Sequence, residues 1–540
     1  MQTLFEAFCN TAKQYPDHAF LCVPPLKGRS YYPDGVELTY SGVAEQVELI
    51  KQAYMDAGYG HGQRVGFLLE NRPEYVCHLL ALNALGVSCV PINPDYRHDE
   101  MLYQMSHSDT DLVVTITERY DDIIAVANER ERPLAVVTDA DFFDALPASQ
   151  RENVGKEPNR TTEATLLYTS GTTGRPKGCI LDNEYHLTAG QWYADMDGMV
   201  SIRPGEERIY NPLPLFHMNS AVVTLGCVLL TGCCLIVPDR FHPSGWWQDI
   251  NETRATVIHY LGVVPPMLLN QPVTELERSH SVRFGIGGGV DPALHGAFEE
   301  RYGFPLLEVW GMTETGRIYC AREEPRQIDT RAFGRPYGGF EAMVANEAGG
   351  EVPRGEQGEL LVRCAGDNPR KGFFAGYLNN EDATEEAWAG GWFHTGDTVM
   401  QDDSGMLYFV DRKKNIIRRS GENIAAAEVE GILQSHDAVA QVAVIPVKDA
   451  VREEEVMACI VLMDGFDPTD ELAMELFEFS FARLAYFKPP GWLLFMGSLP
   501  TTGTQKIQKT QIFGVDVDPL EKEEIFDFRS LKKKYRQVSA

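Results

Sequence analysis

Over the first 300 residues, short apolar runs alternate with stretches of helical spacing, and this rhythm restricts the fold more than any other feature. VGFLLE (residues 65–70) has strand length, NRPEYVCHLLALNALG (71–86) carries apolar residues at helical spacing and ends in glycine, and VSCVPIN (87–93) is strand-like again. The same alternation returns with LVVTITE, LAVVTD, ATLLYTSG, CCLIVPD and TVIHYLGVVP. Strands separated by helical segments of 10–15 residues specify βαβ units in mostly parallel sheets. Ligands of such sheets bind beyond the carboxyl ends of the strands.

After about residue 330 the texture changes. EVPRGEQGELLVR (351–363) and SGMLYFVDR (404–412) read as turns and hairpin strands. A helix (NIAAAEVEGILQSH), two strands (AVAQVAVIPV and EEVMACIVLM) and a long helix (DELAMELFEFSFARLA) follow. The fold class expected is α/β: a large N-terminal domain of mostly parallel sheets flanked by helices, then a small mobile α+β C-terminal domain. The boundary is placed at Asp411-Arg412, giving domains 1–411 and 412–540. At roughly 100–200 residues per domain, 540 residues accommodate this division.

The net charge of −30 argues against nucleic acid as a partner, because the surface repels polyanions. A nucleotide site must therefore make its own local positive field. The eleven cysteines form no CxxC pair, which argues against a disulfide framework or a structural zinc site and fits reduced thiols in the cytoplasm. The N-terminal stretch reads as an amphipathic helix rather than a signal peptide. AVVTLGCVLLTGCCLIVP (221–238) reaches membrane-spanning length but is broken by Gly226 and Thr231-Gly232. It is expected to be a buried helix, a tight turn and a buried strand rather than an integral membrane segment. The basic run KKKYR (532–536) reads as a solvated helix end.

YTSGTTGRPKG (168–178) leaves the strand-like run ATLL as a glycine-rich, hydroxyl-rich, basic loop. Glycines let backbone N–H groups approach an anion, and hydroxyls and a lysine add donors and charge. The spacing is not that of a Walker loop, since Lys177 precedes a glycine and no Ser or Thr follows it. GxGxxG and GxSxG are also absent.

The loop resembles the phosphate loop of the acyl-adenylate-forming (AMP-binding) superfamily, and further segments match in the family's order. The resemblance assigns phosphate contacts to Thr169, Ser170, Gly171, Thr172, Thr173, Gly174 and Lys177. NPLPLFHMNS (211–220) resembles the segment whose histidine lies beside the substrate carboxylate, here His217. LEVWGMTETG (307–316) resembles the motif whose threonine touches the α-phosphate and whose glutamate helps bind Mg²⁺, implying Thr313 and Glu314. Gly288, Trp310 and Gly311 are expected on the cofactor-binding surface. GWFHTGD (391–397) makes Asp397 the acceptor for ribose hydroxyls. DRKKNIIRRSGENIAAAEVE (411–430) gives Arg412 a ribose contact, Lys414 the hinge, and Gly421 a place on the tunnel for the pantetheine arm. LPTTGTQKIQK (499–509) departs from the family pattern at Gln505 but keeps the lysine register, implying Lys506 as the catalytic lysine, with Lys509 as its rival.

The resemblance implies an ATP-dependent, AMP-forming carboxylic acid–CoA ligase with ATP, Mg²⁺ and coenzyme A. The SGEN stretch looks closest to CoA ligases, including those for carnitine-like or fatty acids. The alternative is a stand-alone adenylating enzyme that loads a carrier protein. A homodimer is allowed. The acid pocket is expected to draw on Trp192, Tyr193, His217, residues 259–263, 287–289 and 310–312. A cationic acid would call for a carboxylate or aromatic cage, with Asp195 and Asp197 as the acidic candidates.

Overall fold

The computed structural model describes residues 1–169, 175–412, 416–500, 507, 509–513, 517–522 and 524–538. The chain divides into two compact units. The larger holds Met1–Pro94, Gln104–Leu167 and Gly178–Asp411, and the smaller holds Asp95–Tyr103, Tyr168–Lys177 and Arg412–Ala540.

The expected α/β alternation is present. A seven-stranded sheet runs in the order Gly376–Tyr377, Lys177–Asp182, Glu163–Thr169, Ser88–Pro91, Arg64–Leu68, Leu112–Thr115, Ala135–Thr138. Ser88–Pro91 and Leu112–Thr115 are buried at every position, as parallel strands covered on both faces must be. An eight-stranded sheet in the larger unit places Leu306–Gly311, Phe284–Gly288, Val257–Leu261, Arg208–Tyr210 and Cys234–Ile236 side by side and parallel. A five-stranded sheet includes Phe340–Ala345, Gln357–Cys364 and Phe393–Gln401 in antiparallel pairing, matching the change of texture after residue 330.

Local chemistry sets the element boundaries. The first helix, Leu4–Gln14, begins where the Thr3 hydroxyl accepts from the Glu6 N–H (3.1 Å) and buries Leu4, Ala7, Phe8, Thr11 and Ala12. The apolar stretch 221–238 is not one span. A π-helical turn, Asn219–Thr224, runs into the helix Leu225–Thr231, which stops at left-handed Gly232 (φ +72°) before the strand Cys234–Ile236. No helix among the described residues is long and apolar enough to cross a membrane. This helix packs closely on Asn183–Ala194, where a Cβ on Gly190 would lie 2.5 Å from the Gly226 carbonyl carbon, so the contact requires glycine. All eleven cysteines are free thiols.

The smaller unit contains a six-stranded sheet centred on Glu453–Leu462, with Val439–Asp449 beside it, and the helices Ala426–Gln434 and Asp470–Phe481. Its apolar core includes Ile424, Val429, Val444, Ile460, Leu476 and Phe477. Lys532, read as part of a solvated helix end, is 1% exposed. Its ammonium donates to Glu455 Oε1 (2.7 Å) and to the Phe487 and Pro489 carbonyls (3.0 and 2.6 Å). Glu455 is fully buried and also receives Arg419 Nε (2.7 Å). Burial raises the Glu455 carboxyl, but Lys532 and Arg419 outweigh it and hold the group ionised. A buried carboxylate needs such partners, which is why this lysine turns inward.

Candidate active site

The first property of the site is alignment. The parallel strands ending at Leu261, Gly288 and Gly311 are adjacent and in register, with Leu261 opposite Gly288 and Gly287 opposite Glu308. Arg208–Tyr210 runs beside Val257–Leu261 and leads into the segment carrying His217. Four of the stretches expected to meet ligand therefore leave one edge of one sheet at their carboxyl ends. A Cβ on Gly288 would lie 2.8 Å from the Val309 carbonyl oxygen, and one on Gly311 would lie 2.5 Å from an Ile318 methyl group. Both glycines are demanded by this close packing.

The strand Leu306–Gly311 opens into a tight turn. The Thr315 N–H donates to the Met312 carbonyl (3.1 Å), and the chain returns with Ile318 paired opposite Gly311. Thr313 lies half-buried on this turn, and its carbonyl accepts from the Tyr185 hydroxyl. Glu314 is buried and receives the Tyr377 hydroxyl (2.8 Å). Trp310 is buried and donates its indole N–H to Asp397 Oδ2 (2.9 Å), which joins the 307–316 motif to the 391–397 motif. The Asp397 N–H is in turn held by the Thr395 hydroxyl (3.1 Å).

The His217 segment is positioned by residues that its motif did not single out. Asn71 donates to the Leu213 and Pro238 carbonyls (3.2 Å each) and accepts from the Leu215 N–H (2.8 Å). Two residues beyond His217, Asn219 Oδ1 receives Asn211 Nδ2 (2.9 Å) and His259 Nδ1 (2.9 Å). His259 Nε2 lies 3.0 Å from the Tyr193 hydroxyl. With Nδ1–H donating to Asn219, Nε2 accepts from Tyr193, which is the neutral tautomer. Burial pushes the His259 imidazole down to about 3, and it does the same to His186. Both rings stay unprotonated in the fold, whereas in the unfolded chain they bind a proton below about 6.5. Stability from these two groups is thus complete above about pH 6.5 and declines as pH falls toward 3. At pH 5 each is expected to cost roughly 2 kcal/mol. Denaturant midpoints at pH 7 and pH 5 check this, and His259→Gln should flatten the dependence.

The phosphate-loop segment is described at its two ends. Thr169 closes the strand Glu163–Thr169, and Lys177 opens Lys177–Asp182. Next to Lys177, the Pro176 carbonyl accepts from the Tyr103 hydroxyl (2.9 Å), and the Arg175 guanidinium lies 5.2 Å over the Tyr103 ring. Ser170, Gly171, Thr172, Thr173, Gly174, Lys414 and Lys506 lie outside the described residues. Arg412 ends the strand Leu407–Arg412, and its side chain is likewise outside the description. Gly421 (φ +90°) follows Ser420 (φ +53°) in a two-residue turn between the paired residues Arg419 and Glu422. This turn by itself requires φ > 0 at both positions and favours glycine. Lys509, the rival of Lys506, is engaged in an ion pair with Glu430 (2.6 Å).

Residues 8–378 match the family model described as AMP-binding enzyme, and residues 428–506 match AMP-binding enzyme C-terminal domain. The chain belongs to the AMP-binding enzyme family. It is 30% identical over 495 residues to a crotonobetaine/carnitine–CoA ligase of Citrobacter koseri, covering 88% of this chain and 93% of that protein. It is also 30% identical over 518 residues to a sulfoacetate–CoA ligase of Cupriavidus necator, covering 94% and 97%. Among solved structures, an o-succinylbenzoate CoA synthetase from Bacillus subtilis, bound with a product analogue, aligns with a TM-score of 0.80 at 25% identity over 94% of this chain and 98% of that one. An amide bond synthetase from Marinactinospora thermotolerans shares the fold, with a TM-score of 0.79 at 24% identity over 94% and 99%. The family and these relatives make the reaction class an ATP-dependent, AMP-forming acid–CoA ligation. Loading of a carrier protein is not favoured.

Proposed function

We propose that this member of the AMP-binding enzyme family couples a small carboxylic acid to coenzyme A in the cytoplasm, in two steps served by the residues named above. The observation that carries the reading is the shared carboxyl-end edge of four parallel strands, to which Trp310 ties Asp397 and Tyr377 ties Glu314.

In the first step a carboxylate oxygen attacks the α-phosphorus of ATP. The bond from that phosphorus to the β-phosphate bridging oxygen breaks, and pyrophosphate leaves. Negative charge spreads over the α-phosphate and the leaving group, so catalysis is positioning and neutralisation. Thr313 contacts the α-phosphate, and the 169–174 backbone with Lys177 holds the departing phosphates. Lys506 bridges the carboxylate and the α-phosphate, and His217 lies beside the carboxylate. Asp397 and Arg412 hold the ribose. Glu314 suits Mg²⁺, since a buried carboxylate oriented by a tyrosine hydroxyl is the hard oxygen donor that this ion prefers. The ion would neutralise phosphate charge. In the second step the CoA thiol loses its proton to solvent, its sulfur attacks the acyl carbon, and AMP departs. Lys414 is the hinge for exchanging the two half-reactions between domains 1–411 and 412–540, and Gly421 borders the pantetheine path.

Two acid classes come from the relatives, a cationic carnitine-type acid and an anionic sulfoacetate-type acid. Acid-dependent exchange of labelled pyrophosphate into ATP without CoA tests the first step. Exchange with at least one short acid supports the reading, and CoA-independent silence with all of them contradicts it.

A further inference from the structure

Arg317 is 5% exposed and lies three residues after Glu314. The 312–315 turn folds the chain back, so Arg317 precedes the residue paired opposite Gly311 and runs beside the end of the motif strand. Its head is boxed by aromatic rings, with the guanidinium carbon 5.7 Å from the Trp192 ring centre, 5.8 Å from Phe340 and 5.7 Å from Phe373. The box is rigid. Trp192 donates its indole N–H to the Ile318 carbonyl (3.0 Å) and stacks on Tyr337 with ring centres 4.7 Å apart. Gly372 leaves room for the head, because a Cβ there would lie 2.5 Å from Arg317 Nη2.

Within this box the cation is undersupplied with acceptors. Nη2 donates to the Lys371 carbonyl (2.7 Å), and the Cys364 sulfur, a weak acceptor, also hydrogen-bonds the guanidinium. Nη1 is buried with no hydrogen-bond partner. Among the described residues, no carboxylate forms an ion pair with Arg317. Aromatic faces attract a guanidinium but cannot accept its in-plane N–H groups. Burial lowers its proton affinity, but a guanidinium stays protonated in proteins, so the positive charge persists. A desolvated arginine with an unused N–H is the ordinary receptor for a carboxylate or sulfonate.

Three acidic groups, Asp195, Asp197 and Glu308, are otherwise engaged. Asp195 and Asp197 are both exposed, with Asp195 receiving Gln191 Nε2 (2.7 Å) and Asp197 paired with Arg322. Glu308 accepts from the Tyr260 hydroxyl (2.6 Å) and from the Gly289 N–H (2.8 Å).

Resting on the ligase reading above, we propose that Arg317 determines specificity in the acyl site, and that the acid activated here is short and carries a second anionic group, a sulfonate or a second carboxylate, which Arg317 receives. A trimethylammonium acid would set like charges against each other inside the aromatic box. A fatty acid would leave the guanidinium buried without its anion.

The test compares kcat/KM for acid-dependent pyrophosphate release by the full-length enzyme with sulfoacetate, malonate and succinate, with propionate and butyrate, and with carnitine. At least one dianionic acid is expected to exceed the monoacids and carnitine by roughly tenfold to a hundredfold. Arg317→Met should lower the ratio of dianionic to monoacid kcat/KM by a similar factor, and Arg317→Lys should recover part of it. The ratio is independent of how much variant folds. Equal loss on every acid, or a wild-type preference for carnitine or the monoacids, overturns the proposal and leaves the ligase reading standing. Release with none of the acids overturns both.

Discussion

Lys506→Ala is expected to abolish acid-dependent pyrophosphate release while sparing the consumption of a preformed acyl-adenylate by CoA. The first step develops negative charge between the carboxylate and the α-phosphate, and removing one preorganised cation from such a site costs about 2.7–4 kcal/mol, or roughly 10²–10³-fold. The second step expels AMP, a good leaving group, and needs no cation on the face that the thiol approaches. Rapid-quench measurement of the two half-reactions on one preparation checks both arms. Parallel loss of both, with an unchanged melting curve, would remove Lys506 from the role assigned to it. Lys509 offers the control, because its ammonium is held by Glu430 at 2.6 Å. Lys509→Ala should affect the stability of the smaller unit before it affects pyrophosphate release.

Glu314→Gln should be the second large loss, again about 10²–10³-fold in pyrophosphate release. The substitution keeps the shape and keeps an acceptor for the Tyr377 hydroxyl, so the fold is expected to survive. It removes the negative charge that a hard divalent cation requires. The diagnostic is therefore the Mg²⁺ titration, whose midpoint should move to higher concentration in the variant. A variant with reduced rate and an unmoved Mg²⁺ midpoint would assign Glu314 to holding the turn alone.

The parallel core was legible because its strands are buried on both faces and so appear as continuous apolar runs such as LVVT and SCVP. The 221–238 stretch was legible for a different reason, since Gly232 breaks it where the structure needs a left-handed residue. Site motifs were legible one at a time. Their junctions were not, because Trp310–Asp397 and Tyr377–Glu314 join residues 87 and 63 positions apart. Lys532 was misread for the same reason. A lysine run at a helix end looks solvated until Glu455, 77 residues earlier, is found buried beneath it. The need for glycine at 421 was not legible either, since it comes from a φ of +90° in a two-residue turn. The acceptor count at Arg317 was invisible in sequence, since its surroundings come from residues 192, 340, 371 and 373.

The proposed chemistry turns on attack by the carboxylate of the acid on the α-phosphate of ATP. Turnover of an acid labelled with ¹⁸O in its carboxylate tests this directly by mass analysis of the products. One ¹⁸O is expected in AMP, with pyrophosphate unlabelled and an acyl-CoA that retains the other oxygen. Label in inorganic phosphate, with ADP as the nucleotide product, would contradict it.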